Sequence, residues 1–146
     1  MHRRSTAVLI AVGAVLASLA LAPVANAGGQ RFTTTLEGEN EIPLGDLDAT
    51  GTATVTLNRG TGEVCWDISV AGMTLPAAAA HIHPGAAGVV NDPIITLGAP
   101  GADGTSVGCT TADRALVKEI AKNPADYYVN VHNIDHPPGA ARGQLG

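Results

Sequence analysis

The chain has 146 residues, with 13 acidic against 8 basic side chains and a formal net charge of −5 with histidine neutral. That acidity argues against a nucleic-acid partner and against anionic membrane surfaces. Aromatic residues make up only 3% of the chain, which disfavours the exposed aromatic platform of a carbohydrate binder.

Residues 1–27 read as a secretory signal peptide. His2-Arg3-Arg4 is a charged start, an apolar run follows from Ala7 to Ala22, and Ala25-Asn26-Ala27 is an A-x-A cleavage signal. The apolar run is short for a membrane span of about 20 residues. Cleavage after Ala27 is therefore expected, with the style of a bacterial export signal. Arg3-Arg4 leaves the general secretory and twin-arginine routes both open. No later run is long enough to span a membrane. Residues 28–146 are expected to form one secreted, extracellular domain with a single core. In an exported chain the two cysteines, Cys65 and Cys109, imply a disulfide. It closes a loop of about 45 residues, worth ~4 kcal/mol in the chain-entropy account.

Arg31 to Leu36 is the first candidate strand. Glu37 to Ile42 is acidic, and in an extended chain Glu37, Glu39 and Glu41 share a face. Such a comb either binds a hard cation or protects a solvated edge strand. Leu44 to Thr50 is loop. Gly51 to Leu57 alternates cleanly, with Ala53, Val55 and Leu57 inward and threonines outward. Asn58 to Gly62 is a glycine-rich turn. Glu63 to Val70 follows, burying Val64, Trp66, Ile68 and Val70. Cys65 lies on the opposite face and is expected to staple a loop to the outside of the sheet. Ala77 to Ala80 leads into His81-Ile82-His83, which ends at the Pro84-Gly85 turn.

Ile94 to Leu97 and Thr105 to Thr110 are short strands, the second carrying Cys109. One helix is predicted at about residues 112–123. Leu116, Val117 and Ile120 lie on one face, Thr110 or Thr111 serves as N-cap, Asp113 sits in the first turn, and Asn123-Pro124 ends it. Asp126 to Asn133 is a strand, Pro137-Pro138-Gly139 a turn, and Ala140 to Leu145 the last strand. Short strands with Gly/Pro turns and one helix give an all-β fold, a Greek-key-like sandwich or barrel.

Several of these pieces form an ordered set: Glu41-Ile42-Pro43, Gly51 to Leu57 (G-T-A-T-V-T-L), Ala80 to Gly85 (A-H-I-H-P-G), Tyr128 to His132 (Y-V-N-V-H) and Pro137 to Leu145 (P-P-G-A-A-R-G-Q-L). Together they resemble the chordin-type, or CHRD, domain family, over nearly all of the chain from about Phe32 to Leu145. Ala140-Ala141 departs from the family's usual Glu-Ile. The resemblance implies an exported β-domain acting as an extracellular binding or structural module, with an unidentified partner and no defined reaction.

The histidines are where chemistry would gather. On a strand His81 and His83 share a face, as do Tyr128, Asn130 and His132. Two readings stand side by side. In one, His81, His83 and His132, with His136 as a fourth, hold Cu or Zn, while Asp135, Asn130 and Arg142 support them from behind. The H-x-H strand is distantly similar to that of copper/zinc superoxide dismutase, without its run of zinc ligands. In the other, these side chains hydrogen-bond one another and the loops, with Arg142 paired to Glu41 or Asp135. No nucleophile elbow supports hydrolysis, so the expected protein is a module rather than an enzyme.

Overall fold

The structure is a computed structural model that describes residues 28–146; the expected signal peptide lies outside the described residues. Eight strands form one sheet: β1 (Gln30–Glu37), β2 (Thr50–Leu57), β3 (Glu63–Ala71), β4 (Ala79–Pro84), β5 (Ile95–Leu97), β6 (Thr105–Thr111), β7 (Tyr127–His132) and β8 (Ala141–Gln144). Their order across the sheet is β5-β4-β7-β8-β1-β2-β3-β6, and every pairing is antiparallel. The sheet curls until its two edge strands, β5 and β6, come into contact. The expected all-β architecture is therefore present as a nearly closed barrel made from one sheet.

Alternation fills the barrel. Ala53, Val55 and Leu57 of β2, Val64, Ile68 and Val70 of β3, Ala80 and Ile82 of β4, and Val129 and Val131 of β7 are all buried in one cluster. Burying one of the valine, leucine or isoleucine side chains contributes roughly 1.5–3 kcal/mol. Trp66 sits beside the seam. Its indole N–H donates to the Ser106 hydroxyl at 2.9 Å, and that hydroxyl donates to the Gly98 carbonyl at 2.7 Å. The relay ties β3 and β6 to the chain leaving β5.

Cys65 and Cys109 lie directly opposite each other on β3 and β6 and are bonded. The disulfide thus joins two neighbouring strands. The Thr105 to Thr110 segment is the strand the sequence predicts, and its pairing directly with β3 corrects the expectation that Cys65 staples a loop.

The helix, α1 (Arg114–Lys122), buries Val117, Ile120 and Ala121, and these join the barrel core. Its N-cap is Asp113, whose carboxylate accepts from the Ala115 and Leu116 amides at 2.8 and 3.0 Å. Thr110 and Thr111 do not cap it, because β6 runs through Thr111. Two orphan amides of the first turn are satisfied by one side chain.

The acidic comb does not form. A 3-10 turn at Gly38–Asn40 interrupts the extended chain, so Glu37 and Glu39 stay exposed while Glu41 turns inward and is 3% exposed. That corrects both the hard-cation and the edge-strand expectations.

Candidate functional site

Strand alternation gives β4, β7 and β8 two faces of different chemistry. The inner face is aliphatic. The outer face carries His81 and His83 from β4, Tyr128, Asn130 and His132 from β7, and Arg142 and Gln144 from β8. The register sets His81 opposite Asn130, His83 opposite Tyr128, and Asn130 opposite Arg142. This outer face is not left to solvent. The segment following β1 brings Glu41 over it, and the loop after β4 brings Val89 and Asn91. A polar layer therefore lies between the barrel wall and two loops.

His81, His83 and His132 converge. One ring nitrogen from each lies within 4.8 Å of the other two. His81 Nδ1 is 3.1 Å from His132 Nε2. His83 Nδ1 is 2.8 Å from the Asn91 carbonyl, and His132 Nδ1 is 2.9 Å from the Pro137 carbonyl. A carbonyl only accepts, so both Nδ1 atoms carry the proton and both Nε2 atoms offer a lone pair. His83 is 5% exposed, and its Nε2 has no hydrogen-bond partner. Burial holds all three rings below the usual histidine pKa. For His81 the neighbouring His132 and His83 add to that, while the carbonyl bonds of His83 and His132 offset it in part. These shifts favour the neutral form of the cluster.

The remaining predicted residues are placed elsewhere. His136 faces Asp46, with Nε2 4.0 Å from its carboxylate, and is outside the three-histidine group. Asp135 accepts from the Thr74 hydroxyl at 2.5 Å. Asn130 shares the outer face but donates to Glu41, at 3.3 Å, rather than to a histidine. Arg142 is 2% exposed and donates to the Val89 carbonyl at 3.1 Å. Its guanidinium lies on the Tyr128 ring, whose plane also stacks on His83 with centroids 4.9 Å apart and 9° between planes. Asp135 does not take up the Arg142 charge, which acts instead on Glu41.

Glu41 is the residue that the sequence undersold. Burial pushes its carboxyl up to about 7, and the nearby Arg142 charge, the Ile42 backbone bond and Asn130 only partly pull it back. One carboxyl oxygen has no partner. Gly139 makes room for it: a Cβ there would lie 2.5 Å from the carboxylate, and Gly139 has φ +156°. Gly143 is equally constrained, since a Cβ would meet the Thr35 carbonyl oxygen at 2.0 Å. The closing R-G-Q-L thus divides its work. Arg142 enters the polar layer, Gly143 lets β8 approach β1, Gln144 donates to the Gly85 and Ala125 carbonyls, and Leu145 joins the core. The carbonyls of Asn91 and Pro137, which orient the histidines, carry no signature in the residue types. The Glu41-Ile42-Pro43 motif was the available signal for Glu41.

The family model described as CHRD domain matches residues 32–145. No curated protein and no solved structure matches the chain. The likeness of the H-x-H strand to superoxide dismutase therefore gains no structural relative, and no dismutase chemistry is inferred from it.

Proposed function

The chain belongs to the CHRD-domain family, whose role is of the binding or structural kind, and from that premise we propose that it works outside the cell as a binding module whose partner sits across the two loops covering the polar layer. The observation that carries the reading is the pair of loops itself. Ile42, Leu44 and Leu47 are exposed on one, Val89 and Val90 on the other. Between them lies an open pocket lined by Asn40, Ile42, Ala87, Gly88 and Arg142. Apolar side chains grouped in this way mark an interaction surface more often than a chance exposure. The loops are pinned beneath by Glu41, Arg142 and Asn91, so little ordering entropy is lost on binding.

Export fits the same reading. The Cys65–Cys109 bond suits an oxidising compartment, and no helix among the described residues is long and apolar enough to cross a membrane. Residues 28–146 are the mature domain in this proposal. The test uses the full chain expressed in its producing cells. We expect recovery outside the cytoplasm with residues 1–27 removed, and binding to the outer surface of those cells that weakens at least tenfold in Leu44→Asp/Leu47→Asp with an unchanged circular-dichroism spectrum. Retention inside the cell at full length overturns export. Surface binding indifferent to the double substitution overturns the loop surface.

A further inference from the structure

The three-histidine cluster has features that a merely structural network does not need. A hydrogen-bonded cluster of neutral imidazoles would be expected to satisfy its buried nitrogens. Here the Nε2 of His83, on a side chain more than nine-tenths buried, has no partner. Two of the three rings are fixed from behind by backbone carbonyls, those of Asn91 and Pro137. That is the arrangement by which metal-ligating histidines are held in one tautomer with the free nitrogen aimed forward.

We propose that His81, His83 and His132 form a three-imidazole site for a late first-row divalent cation, Zn(II) or Cu(II), bound through Nδ1 of His81 and Nε2 of His83 and His132. The donor set is all nitrogen with no carboxylate, which favours these cations over magnesium or calcium. Zinc–nitrogen bonds of roughly 2.0–2.1 Å in a tetrahedral arrangement set the donor atoms about 3.3–3.4 Å apart. His81 Nδ1 and His132 Nε2 already stand at 3.1 Å, and all three donors lie within 4.8 Å, so side-chain adjustments of an ångström or so complete the triangle. No proton is lost overall. In the metal-free cluster His132 Nε2 accepts from His81 Nδ1–H, and on binding the His81 proton moves to its own Nε2.

His83 is stacked on Tyr128, which fixes the deepest ligand. His81 and His132 are only partly buried, and they border an open, largely apolar depression with Ala78, Ala79, Ile134 and Pro137. The fourth coordination position therefore faces that depression, where a water or a small ligand can reach it. His136 is not a ligand, because it is held toward Asp46. The depression beside the histidines shares no lining residue with the loop pocket described above, although His83 is tied to the loop after β4 through the Asn91 carbonyl.

The test is isothermal titration of the purified full chain with Zn(II), repeated with Cu(II), alongside ¹⁵N spectra of the imidazoles. A His2→Ala background removes the histidine near the chain start. We expect one cation per chain, with the ligating ¹⁵N signals assigned to Nδ1 of residue 81 and Nε2 of residues 83 and 132. His81→Ala and His132→Ala, both at partly buried positions, should each weaken binding by at least the roughly tenfold to hundredfold that loss of a supporting partner alone costs. His136→Ala should leave it unchanged. Binding that survives His81→Ala in a protein with native circular dichroism overturns the site. So does binding that vanishes with His136→Ala, or saturation only at millimolar cation.

Discussion

The guanidinium carbon of Arg142 lies 3.7 Å from the centroid of the Tyr128 ring. β7 stands between β4 and β8 in the sheet, so Tyr128 receives Arg142 from one flank and His83 from the other. A cation over an aromatic face away from water contributes about 2 kcal/mol, and Arg142 also balances the inward-turned Glu41. We expect Arg142→Ala to lower stability by about 2–4 kcal/mol, from loss of the cation–π contact and of the charge-assisted hydrogen bond to the Val89 carbonyl. Arg142→Lys should fall between the two, because an ammonium keeps the charge but loses the planar stack. Urea denaturation measures both.

Glu41 predicts a pH dependence with a definite sign. Its carboxyl moves from 4.5 up to about 7 in the folded chain, so between those values the folded state holds the proton more tightly than the unfolded state. The stabilising effect of the neutral acid is fully present below 4.5 and is lost as pH rises through 7. A shift of this size corresponds to roughly 3 kcal/mol. The three histidines act in the opposite sense, since their depressed pKa values remove stability as pH falls below 6.5. Comparing Glu41→Gln with the parent across pH 4 to 8 isolates the carboxyl. The variant should gain on the parent as pH rises, and two parallel stability curves would refute the assignment.

Gly143 predicts an asymmetry between neighbouring small residues. A Cβ at 143 meets backbone, the Thr35 carbonyl, at 2.0 Å, and neither strand can retreat without breaking β1–β8 packing. Gly143→Ala should cost about 2–3 kcal/mol, in the range for overpacking a filled site. Exposed Gly88, with open space around its position, should respond to alanine through its positive φ of 85° by about 1 kcal/mol. Thermal melts of the two variants rank them.

Reduction of Cys65–Cys109 releases a link across a sequence separation of 44 residues. Chain entropy assigns it ~4 kcal/mol. Because the two cysteines already face each other in the β3–β6 register, the barrel should keep its circular-dichroism spectrum after reduction while its denaturation midpoint drops. Loss of the β signal on reduction alone would show that the register depends on the bond.

Much of this protein is written in local pattern. Period-two alternation from Gly51 to Leu57 and Glu63 to Val70 marked two strands and their inward residues, because a pleat sends neighbours to opposite faces whatever lies beyond. The same rule set His81 beside His83, and Tyr128, Asn130 and His132 on one face. Helical spacing of Leu116, Val117 and Ile120 marked α1. Which strands are neighbours was decided only by closure of the barrel, since pairing β8 with β1 joins the two ends of the chain and no local signal encodes that. Closure set the Cys109 strand beside β3 and placed His132 beside His81 while His136 turned to Asp46; the helix cap is Asp113 because β6 runs through Thr111. It also buried Glu41. A carboxylate in an acidic run is hydrated by default, and only a tertiary layer with Arg142, Asn130 and the space over Gly139 makes an inward position tolerable.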